Sequence, residues 1–301
     1  MIRLAGISAD NRRSQSFAIF LTILSSLLYV IGYSLSKKLV ISYGLTAMQV
    51  TFLRCGLVLA AGATLTAKPA TGITWRRICF PARPLEQRTA AAALVASNVL
   101  SIISYSLIQV TDASALGFSA PLMLTVMSVM LLGERVPLSR WFGVIVGFVG
   151  MLLIVRPGTG SVSPVGVGTA LLSALAYAIY QILVRRLRND ATSVDITLQV
   201  AVVGFIALLI FMPWMWHPLS FEGALVAVLF TAVQTAGMAS IAAALRRGEA
   251  SRLAPWQFFG LVWAMIIDTV AFNNLPAVTS IAGGCMILSG GLLGHRRQDK
   301  G

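Results

Sequence analysis

Polar and aromatic side chains recur at helical spacing inside otherwise apolar runs of this sequence, and they are where it could do chemistry. Tyr29 and Tyr33 lie in one such run, Asn98, Ser101 and Tyr105 in another, and Tyr177 and Gln181 in a third. Gln234 lies in a fourth, and Trp256, Gln257 and Trp263 in a fifth. Steps of three and four residues put each of the first three sets on one helix face. A polar side chain is costly in hydrocarbon, so such a face turns toward protein or water. The reading is a neutral, hydrogen-bonding substrate cavity walled by tyrosine rings. The alternative is that the same groups bond one helix to another, and Ser and Thr often bond their own backbone. Two charges lie deeper than a loop would place them, Arg54 and Asp268. Arg54 is expected to pair with Asp268 or with an anionic group of a substrate, snorkelling to the surface being the alternative. Catalytic chemistry has no comparable support. There is no Gly-Lys phosphate loop, no HExxH and no G-x-S-x-G, and the two histidines stand apart as His217 and His295. No cofactor and no metal site is expected.

These residues need elements to hold them, and composition says what kind. Of 301 residues, 57% are hydrophobic and 11% charged, against about 25% charged in soluble domains. The mean hydropathy is +0.84. No soluble core hides that much apolar surface, but a lipid bilayer does. Ten runs are long enough to cross it: 17–36, 47–66, 89–108, 113–132, 139–155, 165–184, 194–214, 221–243, 251–272 and 276–294. The first run ends in Ser36-Lys37-Lys38 without a small-residue cleavage site, so it reads as a retained span. The connection 67–88 is basic and carries Trp75, which suits a membrane surface or a solvated loop. Cys55, Cys79 and Cys285 show no disulfide or metal spacing.

The net charge of +13 is read as membrane topology, not nucleic-acid binding, because no basic helix or aromatic-basic module accompanies it. With a cytoplasmic N-terminus, 19 of the 23 lysines and arginines fall inside, Lys37, Lys38 and Arg156 fall outside, and Arg54 is within a span. That bias predicts a multi-pass protein of the inner (plasma) membrane with both termini cytoplasmic.

The chain also repeats itself. Residues 24–39 read LSSLLYVIGYSLSKKL and residues 172–187 read LSALAYAIYQILVRRL. Ser25, Tyr29 and Leu39 thus recur as Ser173, Tyr177 and Leu187, and Lys37-Lys38 meets Arg185-Arg186. Asp112–Leu116 recurs as Glu249–Leu253, and Gln49-Val50 as Gln199-Val200. Five spans per half is an odd number, so the second half enters the membrane upside down, a design that places substrate near the midplane between halves. The expected fold is all-α and integral to the membrane: ten transmembrane helices forming two inverted five-helix repeats around a central cavity. The expected boundaries are a cytoplasmic tail 1–16, repeats 17–158 and 159–294, and a cytoplasmic tail 295–301. Gly143 and Gly147, and Gly290 and Gly294, form G-x-x-x-G seams in the last span of each half. They are read as packing within one subunit, a homodimer interface being the alternative. Pro121 and Pro255 free backbone carbonyls inside their spans, and a bent span between halves suits a gate.

Two stretches carry a family resemblance. Residues 120–158 read APLMLTVMSVMLLGERVPLSRWFGVIVGFVGMLLIVRPG, and residues 254–293 read APWQFFGLVWAMIIDTVAFNNLPAVTSIAGGCMILSGGLL. They resemble the EamA-type members of the drug/metabolite transporter superfamily, down to the Gly133-Glu134-Arg135 turn between spans four and five. The resemblance implies a cavity lined by spans one to four and six to nine, with five and ten packed outside. An Arg near Arg54 is common in that family. The chain departs from it at Asn273-Asn274, where the family often has Gly-Glu, which puts any carboxylate role there in doubt. The first span holds no acid, which argues against the proton-for-cation exchange of small multidrug exporters. The function expected is secondary transport of a small organic metabolite, amino-acid-like, nucleotide-like or vitamin-like, by alternating access. The partners expected are that small-molecule substrate and the lipid bilayer. A membrane enzyme acting on a lipid or isoprenoid would need clustered acids or histidines, and a passive scaffold has no need for two opposed halves.

Overall fold

The computed structural model describes residues 2–66, 81, 83–120, 123–124, 126–127, 138–155, 162–187, 190–245, 256–257 and 259–295. Every regular element among them is helical. In chain order they are α1 (Ile2–Ile41), α2 (Ala47–Thr66), α3 (Pro84–Leu107), α4 (Val110–Gly117), α5 (Leu138–Val155) and α6 (Pro164–Arg186). There follow α7 (Ser193–Leu209), α8 (Met212–Met215), α9 (Phe221–Leu245), α10 (Phe259–Phe272) and α11 (Val278–His295). Among the described residues, five stretches are long and apolar enough to cross a membrane: Gln15–Ile41, Ala47–Thr64, Pro84–Leu107, Pro164–Val184 and Phe221–Ile241. Val194–Leu209 and Phe259–Phe272 are apolar but shorter. The chain is an all-α membrane protein.

Local chemistry accounts for several helix ends. Pro84 and Pro164 occupy first-turn positions, where a missing N–H costs nothing. Ser163 accepts from the Gly166 amide at 3.3 Å. Thr192 and Asp195 form a reciprocal capping box at the start of α7. At the other ends, Gly44 and Asn273 take left-handed backbone, at φ 68° and 52°. The Leu45 amide then reaches the Leu39 carbonyl, and the Asn274 amide the Asp268 carbonyl, each six positions back, so each left-handed residue folds the chain over a free carbonyl near its helix end. Asn273 thus takes the place glycine holds in the related pattern, because Asn is the next-best residue for that conformation.

Three expectations shift. Span one was expected over 17–36, but α1 runs from Ile2 to Ile41. It takes in the segment read as a tail and carries Lys37 and Lys38 inside the helix instead of in an outer loop. The fourth span begins at Val110 and turns at Phe118 and Ser119; Pro121 lies outside the described residues. The seventh ends at Leu209 and resumes as the short α8 across Pro213. The basic segment 67–80, Arg135, Pro255 and Gly133–Glu134 lie outside the described residues.

Packing respects the repeat. α1 lies on α9 while its repeat partner α6 lies on α3; α2 lies on α7, α4 on α10 and α5 on α11. Exchanging the halves turns this set of contacts into itself. The repeated serines carry the symmetry in detail. Ser25 donates to the Gly237 carbonyl of α9 at 2.8 Å. Ser173 donates to the Ser97 carbonyl of α3 at 2.9 Å and meets the Ser101 hydroxyl at 2.6 Å. The α5–α11 pairing puts both G-x-x-x-G helices against each other within one chain. Two apolar cores result, one around Leu39, Val95, Ile102 and Phe230, the other around Val30, Tyr105, Leu116 and Leu261.

Candidate functional site

The site lies between the halves and has two parts. The first is an aromatic chamber. α1 presents Tyr29 and Tyr33 one turn apart, and α6 answers with Tyr177 and Tyr180. Tyr29 is within electrostatic reach of Tyr177, Tyr33, Arg54 and Tyr180. Tyr177 and Tyr180 stack at 5.8 Å. Tyr33 stacks on Tyr105 of α3 at 4.5 Å and 6°, and the Tyr105 hydroxyl meets Ser114 of α4 at 3.0 Å. Tyr105 is buried, Tyr29 and Tyr33 are half-buried, and Tyr177 is 42% exposed. The chamber is therefore packed shut toward Tyr105 and looser toward Tyr177. Such an array offers hydroxyls for hydrogen bonds and ring faces for apolar or cationic groups.

Arg54 and Asn98 stand beside this chamber. With Thr51, Cys55, Tyr180 and Met238 they line a cavity of only about 30 Å³. The Arg54 guanidinium lies 3.7 Å from the Met238 sulfur.

The second part closes the Lys37 end of the bundle. Gln109 precedes α4 without capping it through its side chain. The cap comes from the other half of the chain: Asp268 of α10 accepts the Val110 amide at 3.0 Å and the Thr111 amide at 2.5 Å. Asp268 is completely buried. Two charge-assisted bonds and the positive end of α4 hold a carboxylate that the interior would otherwise reject. Lys37 of α1 is 6% exposed. Its ammonium donates to the Ile108 carbonyl at 2.8 Å, sits 4.8 Å over the Phe272 ring, and is attracted by Asp268 and Asp112. Three helices from both halves are thus tied together at this end. Nearby, the buried Gln49 amide bonds the His217 backbone in both directions, at 2.9 and 3.2 Å, joining α2 to the connection before α9.

The anticipated residues divide accordingly. Tyr29, Tyr33, Tyr105 and Tyr177 come together, with Arg54 and Asn98 alongside. Ser101 is engaged with Ser173 in the α3–α6 seam. Gln181 is half-buried on α6. Gln234 is buried against Gly32, and its amide nitrogen meets no hydrogen-bond partner among the described residues. The Trp263 indole nitrogen is in the same position, beside the core that holds Tyr105. Trp256 stacks on Phe259 at 5.8 Å, and Gln257 is exposed. The expected pairing of Arg54 with Asp268 is overturned, because Asp268 spends both oxygens on α4 amides while Arg54 meets Met238. Lys37 was counted among outer-loop charges and is instead buried at the junction. The repeat gave no signal for it, because the match aligns it with Arg185, just beyond the expected sixth span.

Comparison with known proteins agrees with this architecture. The model of the EamA-like transporter family matches residues 16–156 and again 164–293. An S-adenosylmethionine uptake transporter of Rickettsia prowazekii is 26% identical over 180 residues, 60% of either chain. The pseudopaline exporter CntI of Pseudomonas aeruginosa is 26% identical over 185 residues, 60% of this chain and 64% of its own. An uncharacterized transporter of Helicobacter pylori is 24% identical, over 69% of this chain and 72% of its own. The matched region thus spans about three fifths of the first of these relatives. A solved crystal structure superposes with a TM-score of 0.56 at 19% identity, covering 96% of this chain and 99% of its own, which establishes the fold.

Proposed function

The chain belongs to the EamA-like transporter family, and from that premise we propose that it moves a small organic metabolite across the inner membrane by alternating access, with the Lys37 end as its outer gate. The protein is a multi-pass membrane transporter of small metabolites; the finer reading concerns how and what. In this reading both termini are cytoplasmic, on the strength of the Lys/Arg bias. Under that orientation Arg83 and Asp190, which pair at 3.1 Å, join the two cytoplasmic connections before α3 and α7. The carrying observation is the contrast along one path. Asp268, Lys37 and the start of α4 tie both halves together at the outer end, while the aromatic chamber below them loosens toward Tyr177. Alternating access needs one end sealed while the other admits solute. The substrate is an amphipathic organic solute, because tyrosine rings and neutral amides line the chamber and inorganic ions would find no ring of charges there. Relatives that take up S-adenosylmethionine or export pseudopaline favour a metabolite of that size.

The test is counterflow of labelled solutes in proteoliposomes, with the outer end cross-linked. Cysteines at Leu107 and Asn274, one in each half at the outer cavity, in a background without Cys55, Cys79 and Cys285, are bridged by a short reducible reagent. Bridging is expected to stop exchange and reduction to restore it. Exchange that persists through complete cross-linking would rule out an outer gate at this position.

A further inference from the structure

The outer end is sealed, yet it is not featureless. A cavity of about 380 Å³ opens there, with Lys37, Gln109, Asp112, Ser163, Phe272 and Asn274 among its walls. Its rim is accessible, since Ile41 and Leu107 are 58% and 46% exposed. Among the described residues its walls hold one cation and one anion, Lys37 and Asp112, 6% and 5% exposed. Opposite charges in one cavity, with the Gln109 and Asn274 amides in its lining, make a receptor for a molecule that carries both signs. Resting on the transport reading, we propose that this cavity is an outer recognition site for the zwitterionic head of an amino acid or amino-acid conjugate. Lys37 takes the carboxylate and Asp112 the ammonium group. Gln109 and Asn274 supply neutral hydrogen bonds at the edge.

Binding there bears on the gate. Lys37 gives one hydrogen bond to the Ile108 carbonyl, in the connection that leads into α4. A carboxylate is a stronger acceptor for an ammonium than a carbonyl is. A bound zwitterion therefore draws Lys37 away from Ile108 and loosens α1 from α4, leaving the Asp268 cap as the remaining tie. Ligand binding and outer opening become one linked equilibrium.

The experiment uses the purified full-length protein in lipid nanodiscs. Binding of the standard L-amino acids and of S-adenosylmethionine is measured at about 10 mM and below by thermal shift and titration. Each binder is then compared with its methyl ester and its N-acetyl form. At least one zwitterion is expected to bind, with affinity falling about thirtyfold or more when either charge is masked. Lys37→Gln is expected to abolish the penalty for the ester, and Asp112→Asn the penalty for the N-acetyl form. The ligand analogues test the site in the unaltered protein, so the inference does not depend on either variant folding. Absence of any zwitterion binding, equal binding of masked forms, or binding indifferent to both substitutions would overturn it. Counterflow of another solute by the same preparation would leave the transport reading standing; failure of every solute to exchange would remove that reading instead.

Discussion

The two repeat-related helices α1 and α6 share a scaffold and diverge in chemistry. Ser25 on α1 and Ser173 on α6 each bond across to a helix of the opposite half. Tyr29 and Tyr177, also repeat partners, lie within electrostatic reach of each other. About two turns beyond, Lys37 is buried against Ile108 and Phe272; the side chain of its repeat partner Arg185 lies outside the described residues, and the next pair, Lys38 and Arg186, is exposed on both helices. The lesson is that the repeat specifies helix seams, and departures from the repeat specify the gate. A perfectly symmetric protein would have equivalent inner and outer closures. This one has a buried cation, a buried carboxylate and a borrowed helix cap at one end only among the described residues.

The sharpest way to break the comparison is to remove Asp268. Asp268→Ala strands the Val110 and Thr111 amides and removes one of the two carboxylates, the other being Asp112, that attract Lys37. The expected loss is about 3–5 kcal/mol of stability, read by chemical or thermal unfolding in detergent. Arg186→Ala, at the repeat-related end, is expected to change stability by under about 0.5 kcal/mol. Comparable losses from the two would refute the asymmetry.

Next in size is the close approach of α1 to α9. A Cβ at Gly32 would lie 2.8 Å from the Gln234 side chain. Gly32→Ala is expected to cost about 1–3 kcal/mol by overpacking, and Gln234→Ala in the same protein is expected to relieve most of it. A thermal-shift double-mutant cycle showing simple additivity would exclude that contact as the cause.

The seams themselves come third. Ser25→Ala and Ser173→Ala each remove a buried interhelical bond and are expected to cost about 0.5–1.5 kcal/mol. Ser173 should be the larger, because it serves both Ser97 and Ser101. If only one of the pair matters, the symmetric role of the repeated serines fails. The smallest effect belongs to Arg83. Its pairs with Glu86 and Asp190 are half-exposed, and Arg83→Ala is expected to cost about 0–1 kcal/mol, less at high salt.

Much of this was legible beforehand for a definite reason. Hydrophobic runs report burial in lipid residue by residue, so span positions followed from composition. Ser25 with Ser173 and Tyr29 with Tyr177 were visible because a repeat preserves spacing. Lys37 and Asp268 were not, since both looked like ordinary charges near span ends. A lysine after an apolar run reads as the edge of a loop unless its distant partners are known. Arg54 and Asp268 invited pairing because each was a charge at similar depth, but depth says nothing about azimuth around the bundle.

The sequence alone determined an all-α membrane protein with two tandem repeats, the serines of the repeated seam, and the tyrosines that cluster between α1, α3 and α6. These depend on periodicity, on residue types tied to particular backbone conformations, and on a repeat that can be aligned by eye. Only the tertiary structure decided that Asp268 caps α4 from 158 residues away and that Lys37 is interior. A helix whose own N-cap residue does not cap it must borrow an acceptor, and which acceptor reaches it is settled by how the two halves pack, not by any pattern within either half.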